Sequence, residues 1–201
     1  MSELERWEAR FSAPGYHFGT EPNAFLKSKA HLLKPGQKVL SIADGEGRNG
    51  VFLAEQGLDV LALDFSPTAL AKARTLAKER NVAIRTKQAD LETWSWPVEA
   101  FDVVVAIFFQ FCASPARQKI FAGIKHTLKP GGLLLLEGYG LGQLQYKSGG
   151  PSEPDRLYTR PMLEQAFGDF SSIEIEEYDT VLQEGSRHSG TAALIDLVGR
   201  K

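Results

Sequence analysis

Short apolar runs alternate with longer amphipathic stretches along most of this chain. Five of the runs have the length and the apolar, often β-branched composition of buried strands: 39–43, 58–63, 82–88, 101–107 and 133–137. Helical periodicity separates them, as where Ile120, Phe121, Ile124 and Leu128 fall on one face. Strands that alternate with helices predict a parallel sheet covered on both faces.

The C-terminal third has a different pattern. Residues 170–183 and 191–198 alternate well enough to be strands, and a polar loop over 184–190 joins them. Two late strands joined in this way predict an antiparallel hairpin at the sheet edge. The predicted fold is therefore α/β and doubly wound, with a seven-stranded, mostly parallel Rossmann-like sheet and a C-terminal antiparallel hairpin. One domain is expected over 1–201, with a core over 37–201.

The first 36 residues are expected to form an N-terminal lid or helical segment. Leu4, Trp7 and Phe11 have helical spacing, and 12–23 combines turn-forming residues with aromatics. An irregular aromatic loop on a rigid scaffold favours a lid over a bound ligand. The alternative is that Trp7, Tyr16 and Phe18 only cover the first helix. Pro22 is predicted to lie in the first turn of a helix that extends to Leu33.

A strand, a glycine turn and a helix follow one another between residues 38 and 57. Gly45 and Gly47 allow a sharp turn, and the helix start presents unpaired backbone N–H groups at the carboxyl end of the sheet. The next strand ends at Asp64, twenty residues after Asp44, where a carboxylate can accept hydrogen bonds from a ribose diol. This arrangement predicts a nucleoside site.

The register of the glycine loop bears on which cofactor fits. The segment 45–50 satisfies the dinucleotide-binding pattern G-x-G-x-x-G literally. In that pattern, however, the first glycine should directly end the strand. Counted from the strand end, the three glycine positions are Ala43, Gly45 and Arg48, and only one of them is a glycine. The spacing x-G-x-G-x-G falls on Ala43, Gly45 and Gly47 and matches twice. It resembles the first motif of class I S-adenosylmethionine-dependent methyltransferases.

Residues beyond two further strand ends are candidates for contact with an adenosine. Ser66 is a natural N-cap, so a helix should begin just past Asp64 and aim that carboxylate into the cleft. Phe65 either lies along the adenine face or packs under the helix. Asp90 can accept from the adenine amino group, and the N–H of Leu91 can donate to a ring nitrogen.

Composition narrows the range of partners. The chain has 201 residues, 43% hydrophobic and 24% charged, with a net charge of −2. No basic surface is therefore expected to dominate, which argues against nucleic acid as a partner. No apolar run is long enough to span a membrane, and the single Cys112, predicted to be core packing, suits a reducing compartment. A cytoplasmic protein is expected, and the sequence does not fix its oligomeric state.

Nearly the whole chain resembles a class I S-adenosylmethionine methyltransferase, including the Leu-Lys-Pro-Gly-Gly at 128–132 before the fifth strand. The segments 16–23, 46–49 and 187–190 give a narrower resemblance to small bacterial tellurite-resistance methyltransferases and, more distantly, to thiopurine methyltransferases. The resemblance implies S-adenosylmethionine as cofactor. The candidate cofactor-binding residues are Tyr16, Asp44, Gly45, Glu46, Gly47, Asn49, Asp64, Phe65, Ser66, Asp90, Leu91, Ile107 and Phe108.

Two positions depart from the family's first motif. Ser41 stands where an acidic residue is usual, and Ala43 stands where a glycine is usual. Asp44 and Glu46 supply nearby carboxylates for the cofactor's ammonium group.

The predicted reaction is methyl transfer to a small-molecule acceptor, for which the enzyme mainly aligns the reactants and excludes water. A soft or anionic nucleophile needs no strong base, whereas for oxygen or nitrogen His188, Tyr139 or Tyr16 are the candidate catalytic residues. His188 can equally be a surface histidine. The other histidines lack ligand spacing, so no metal is expected. An NAD-dependent oxidoreductase and a non-catalytic nucleoside-binding protein stay open as alternatives.

Overall fold

The computed structural model describes residues 2–146, 148–185 and 188–201, and for His188 it describes the backbone alone. The strands are β1 (Lys38–Ile42), β2 (Asp59–Asp64), β3 (Arg85–Gln88), β4 (Phe101–Ile107), β5 (Leu128–Tyr139), β6 (Ser172–Glu184) and β7 (His188–Arg200). The α-helices are α1 (Glu3–Phe11), α2 (Ala24–Ser28), α3 (Arg48–Glu55), α4 (Pro67–Glu79), α5 (Ala116–Thr127) and α6 (Arg160–Phe167).

The seven strands form one sheet in the order β3-β2-β1-β4-β5-β7-β6. The first five run parallel, and β7 lies antiparallel to both β5 and β6. This confirms the doubly wound sheet with its C-terminal hairpin. The strand order reverses between β1 and β4, and ligands of such sheets bind at the carboxyl ends of the strands at that point.

Both faces of the sheet are buried, because successive side chains of a strand point to opposite sides. Leu40 faces the cluster completed by α5 and α6, and its neighbour Val39 faces the cluster completed by α2 and α3. Both residues are fully buried. The continuous apolar run of β1 therefore reflects helices on both faces of a parallel sheet.

Several boundaries differ from the predicted ones. β3 is shorter than 82–88, and β5 continues back through the glycines that were expected only to end α5. The Gly131 N–H donates to the Lys201 carbonyl, and the Lys201 N–H donates to the Gly132 carbonyl, so the C-terminal residue pairs with both glycines. The hairpin strands are also longer, so His188 begins β7 instead of lying in the loop.

Helix starts follow the local capping chemistry. Ser66 caps α4 and Pro67 occupies its first turn, as predicted. The helix expected to begin around Pro22 starts later and is shorter, because Asn23 is its N-cap and accepts a hydrogen bond from the Leu26 N–H.

Cys112 is buried, and burial raises the pKa of its thiol to about 11, as expected for a packing residue. In the described part of the chain, no helix combines the length and the hydropathy needed to cross a bilayer. The division into a lid over 1–36 and a core over 37–201 stays a prediction.

Candidate active site

A cavity of about 640 Å³ opens at the carboxyl ends of the strands, at the point where the strand order reverses. Loops after β1, β2, β3, β4 and β5 all contribute to its walls. It is lined by Ala43, Asp44, Gly45, Arg48, Asn49, Asp64, Phe65, Asp90, Leu91, Ile107, Phe108, Gln110, Phe111 and Tyr139, together with residues of α1, of 148–153 and of the C-terminal hairpin.

The loop between β1 and α3 has three left-handed residues at alternate positions. Ala43, Gly45 and Gly47 have φ values of 48°, 59° and 93°. These are the three positions of the x-G-x-G-x-G spacing, so the loop conformation agrees with that register. A Cβ on Gly47 would lie 2.6 Å from the Cβ of Ala73, which means that α4 packs directly on the loop.

Asp44 lies inside this loop with its carboxylate buried. Its Oδ1 accepts from Ser41 Oγ at 2.5 Å and from the Gly50 N–H at 3.0 Å. Its Oδ2 has no hydrogen-bond partner among the described residues. Burial raises the pKa of Asp44 to about 6. Ser41, which replaces the usual acidic residue, thus supports the carboxylate three positions later.

Asp64 ends β2 and is fixed by two backbone amides. Its Oδ2 accepts from the Gly45 N–H and its Oδ1 from the Ser66 N–H, both at 2.9 Å. The residue is only 6% exposed, and burial raises its pKa to about 6. A carboxylate has about four lone-pair sites, so two remain for a ligand.

Asp90 and Leu91 follow β3 and line the same cavity as Asp64. The Asp90 side chain is exposed, and its Oδ1 accepts from the Glu92 N–H at 2.9 Å. Leu91 is buried. The two strand-end carboxylates that the sequence singled out therefore border one space.

Aromatic rings complete the walls. Phe65 stacks on Phe111 with ring centroids 6.4 Å apart and planes 13° from parallel, at the edge of the cavity near Asp64. Phe108, just beyond β4, lies 4.8 Å from the ring of Tyr139. Phe65 thus lines the cavity, as the first of its two predicted roles requires.

Four predicted cofactor residues lie elsewhere, and two of them hold the N-terminal segment. Glu46 accepts from the His17 N–H at 2.5 Å and from Lys72 Nζ at 2.8 Å. Tyr16 packs against α3 and α4, and its hydroxyl contacts the Lys72 carbonyl at 3.4 Å. The structure therefore places both side chains outside the cavity, because α4 supplies their partners.

The other two, Ser66 and Gly47, are structural. Ser66 is fully buried, and its hydroxyl donates to Glu8 of α1. Glu8 also accepts from Thr68 Oγ1 at 2.6 Å, so it attaches α1 to the start of α4. Gly47 lies against Ala73 and does not line the cavity.

The three candidate bases lie in different places relative to the cavity. Tyr139 lines the cavity, and burial raises the pKa of its hydroxyl above the ordinary value, which makes it a weaker acid than a free tyrosine; its role as a base stays a prediction. The pKa of Tyr16 is also raised by burial, and this residue lies outside the cavity. The backbone of His188 pairs opposite Glu184, and its side chain lies outside the described structure, as does Arg187.

Trp7 and Phe11 of α1 line the cavity, and both belong to the segment that the sequence predicted as a lid. Sequence reasoning missed the cations Arg10, Arg48 and Arg156, which also line it. Only Arg48, beside the glycine motif, had a local signal. Among the described residues, no group of three or more His, Cys, Asp or Glu side chains is arranged to hold a metal ion.

The strand order and the glycine loop with Asp64 beside it define the class I methyltransferase fold. Solved structures share it. TehB from Haemophilus influenzae aligns with a TM-score of 0.73 at 18% identity, over 98% of this chain and 66% of that one. Haemonchus contortus phosphoethanolamine N-methyltransferase 2, solved with S-adenosyl-L-methionine, aligns with a TM-score of 0.71 at 22% identity, over 96% and 57%.

Sequence comparison agrees with the fold. Residues 39–132 match the family model described as a methyltransferase domain. A glycine/sarcosine N-methyltransferase of Parasynechococcus marenigrum (strain WH8102) is 32% identical over 137 residues, 65% of this chain and 45% of the relative. The chain thus spans just under half the length of this curated relative. Residues 39–132 thus match a methyltransferase domain, and the fold is that of the class I S-adenosylmethionine-dependent methyltransferases.

Proposed function

We propose that this chain transfers the methyl group of S-adenosylmethionine to a small-molecule acceptor. The observation that carries the proposal is the Asp64 carboxylate, which two backbone amides fix at the tip of β2 while it borders the cavity. Two hydroxyls of a ribose would complete its hydrogen bonds. Asp90 and Leu91 border the same space and suit the edge of an adenine.

The proposal divides the cavity into two parts. We call the part bordered by Asp64, Phe65, Asp90, Leu91 and Phe111 the adenosine half. The acceptor half is bordered by Arg48, Tyr139, 148–153, Arg156 and Ser189. Ile107 ends β4 and Phe108 follows it, between the strands that supply the two halves, which is where the sulfonium would be placed.

The size and charge of the molecule support a small acceptor. The cavity volume of about 640 Å³ is in the range of small-molecule sites. The net charge of −2 gives no general attraction for nucleic acid. The glycine/sarcosine and phosphoethanolamine enzymes, by their names, act on small molecules.

The chemistry asks little of the protein beyond alignment. The acceptor's nucleophilic atom gives its electron pair to the methyl carbon, the carbon–sulfur bond breaks, and its electrons neutralise the sulfonium to a thioether. A proton carried by the nucleophile leaves to water. The aromatic walls around Phe108 and Tyr139 exclude other water from the reacting atoms.

Calorimetry with S-adenosylmethionine, S-adenosylhomocysteine and NAD tests the proposal. We expect the two sulfur nucleosides to bind with micromolar or better affinity and NAD not to bind. NAD binding would support the oxidoreductase alternative. Binding of S-adenosylhomocysteine without turnover of any acceptor would support the non-catalytic alternative.

A first prediction concerns Asp64→Ala. This change should weaken S-adenosylhomocysteine binding by about 1–3 kcal/mol, because the ribose hydroxyls lose their acceptor in a buried site. Asp59→Ala is the matched control, since Asp59 begins the same strand and is exposed beside Arg85. Equal affinity of the Asp64→Ala and Asp59→Ala proteins would remove Asp64 from the site.

A further inference from the structure

Arg48 is an unusual cation for the wall of a nucleoside cavity. It begins α3, is 8% exposed and borders the cavity. Its Nη2 donates to Glu184 Oε2 at 2.7 Å, whereas its Nη1 has no hydrogen-bond partner among the described residues. Buried guanidinium groups normally have their N–H donors satisfied. An acceptor oxygen is thus missing at this position.

The guanidinium lies on the acceptor side of the sheet. Glu184, its partner, ends β6, the edge strand farthest from β3 in the strand order. Glu184 also accepts from Asn23 Nδ2 at 3.0 Å and from the Ala24 N–H at 3.1 Å. Several donors therefore hold the carboxylate that pairs with Arg48, on the edge strand at the opposite end of the sheet from β3.

Charge is distributed unevenly around the cavity. Asp64 and Asp90 border the adenosine half, while Arg48 and Arg156 border the acceptor half. Glu153 Oε2 lies 4.0 Å from Arg156 Nε, which is beyond hydrogen-bond distance, so this ion pair is weak. An anion entering the acceptor half therefore meets the guanidinium groups of Arg48 and Arg156, each already paired with one carboxylate, Glu184 at 2.7 Å and Glu153 at 4.0 Å.

We propose that the methyl acceptor carries an anionic group, a carboxylate or another oxyanion, which Arg48 binds while Glu184 orients the guanidinium. This inference rests on the proposed function and specifies its substrate class. The planar fork of arginine suits such oxygens better than an ammonium does. The anionic group anchors the acceptor, and a separate nucleophilic atom receives the methyl group.

The test is a methyl-transfer assay with matched acceptor pairs that differ in one anionic group: glycine and glycinamide, mercaptoacetate and mercaptoacetamide, phosphoethanolamine and ethanolamine. Release of S-adenosylhomocysteine is the readout. We expect turnover of the anionic member of at least one pair, with kcat/KM higher by about tenfold or more than for its uncharged partner. The pairs separate carboxylate from phosphate recognition.

Variants assign the effect to Arg48. Arg48→Met should raise the KM of the anionic acceptor by about tenfold or more, and Arg48→Lys should raise it less, because the charge remains without the fork. Glu184→Gln should also raise this KM, since the guanidinium then loses the carboxylate that orients it. Calorimetry should find S-adenosylhomocysteine affinity within about twofold of wild type in all three, because Arg48 borders the other half and Glu184 does not line the cavity.

The outcomes separate the two proposals. Equal use of charged and uncharged acceptors, failure of every anionic acceptor, or an unchanged KM in both Arg48 variants overturns the anionic acceptor while nucleoside binding leaves the proposed function standing. If Arg48→Met does not fold, Arg48→Lys and Glu184→Gln decide, because an unchanged KM of the anionic acceptor in both would overturn the proposal. Failure of the wild-type protein to bind S-adenosylhomocysteine overturns the proposed function and this inference together.

Discussion

The adenosine half and the acceptor half of the cavity hold their polar groups by different means. In the adenosine half, backbone N–H groups of Gly45 and Ser66 fix the Asp64 carboxylate. In the acceptor half, side-chain amides fix the backbone. Gln110 donates to the carbonyls of Tyr139 and Arg156 at 2.9 and 3.0 Å and accepts from the Tyr139 N–H at 2.6 Å.

A second amide repeats this arrangement. Gln143 donates to Ser148 Oγ at 3.0 Å and to the Gly149 carbonyl at 2.9 Å, and it accepts from the Ala193 N–H at 2.9 Å. It thus ties the 148–153 segment to β7. A wall held by backbone geometry tolerates little variation, whereas a wall held by a few side chains changes with single substitutions. The difference suits a constant cofactor and a variable acceptor.

The largest expected effect is at Gly47, where the backbone of the adenosine half is most constrained. Gly47→Ala should lower the free energy of unfolding by about 2–5 kcal/mol, because a Cβ there meets Ala73 and the residue is left-handed. Urea unfolding measures this change, and calorimetry should show weaker S-adenosylhomocysteine binding.

Gly131→Ala is the control for that change. Gly131 is also left-handed, at φ 73°, but no atom lies within 4 Å of its added Cβ. It should therefore lose only about 1–2 kcal/mol from the backbone strain. If the two variants were equally stable, close packing of α4 on the loop would not be what requires glycine at position 47.

Gln110→Leu should show the contrasting behaviour of the acceptor half. It leaves the buried Tyr139 N–H without its acceptor, which should lower the free energy of unfolding by about 1–3 kcal/mol. Acceptor KM should rise more than the S-adenosylhomocysteine Kd. Steady-state kinetics and calorimetry on the same preparation compare the two.

Gln88→Leu is its counterpart in the adenosine half. Gln88 donates to the Phe65 carbonyl at 3.1 Å, but the side chain is exposed, so water can replace the bond. This variant should change neither the acceptor KM nor the S-adenosylhomocysteine Kd by more than about twofold. A Gln110→Leu protein that lost cofactor and acceptor affinity to the same degree would contradict the separation into halves.

The placement of Asp64 and Asp90 beside one cavity could be predicted from the sequence because its determinants are local. A strand, a glycine turn and a capped helix place Asp64 at a strand end, whereas the left-handed conformation of Ala43 was not predicted. The same alternation of strands and helices placed Asp90 at the next strand end, beside the same cavity. These inferences need only neighbours in the chain and the rule that parallel strands end at one edge.

The sequence failed where a side chain's partner comes from a distant segment. Ser66 was expected at the cofactor, yet its hydroxyl donates a hydrogen bond to Glu8, which lies 58 residues away in the sequence. Glu46 and Tyr16 are likewise engaged with Lys72 of α4. No periodicity or spacing specifies how α1 lies on α4, so these contacts could not be predicted.

Titration offers a further test of the cofactor side of the cavity. Asp44 and Asp64 both have a pKa raised to about 6 by burial. Because a raised acid pKa favours the protonated form in the fold, these two groups stabilise the empty protein fully below their unfolded pKa. That stability is lost as the pH rises to about 6.

Cofactor binding has the opposite dependence, because a ribose or an ammonium group requires the ionised carboxylates. The S-adenosylhomocysteine Kd should therefore rise as pH falls from 7 to 5, by up to about tenfold per pH unit for each carboxylate that must ionise. Calorimetry across this range measures it, and Asp64→Asn should reduce the slope. A Kd independent of pH would mean that neither carboxylate ionises to bind the cofactor.

The smallest expected effect is at Ala43, the one position of the glycine spacing without a glycine. A left-handed alanine costs about 1–2 kcal/mol, and a glycine costs about 0.5–1 kcal/mol in extra entropy lost on folding. Ala43→Gly should therefore stabilise the protein by about 0.5 kcal/mol in urea unfolding.

Asn81→Gly is the control, because Asn81 is left-handed at φ 57° but asparagine tolerates that conformation, so little gain is expected. A clear loss of stability in Ala43→Gly alone would show that the Ala43 methyl group, packed against the core beside β1, outweighs the strain of its backbone. In that case even the least regular position of the adenosine half would be set by side-chain packing, and the contrast with the acceptor half would be weaker than the hydrogen bonds suggest.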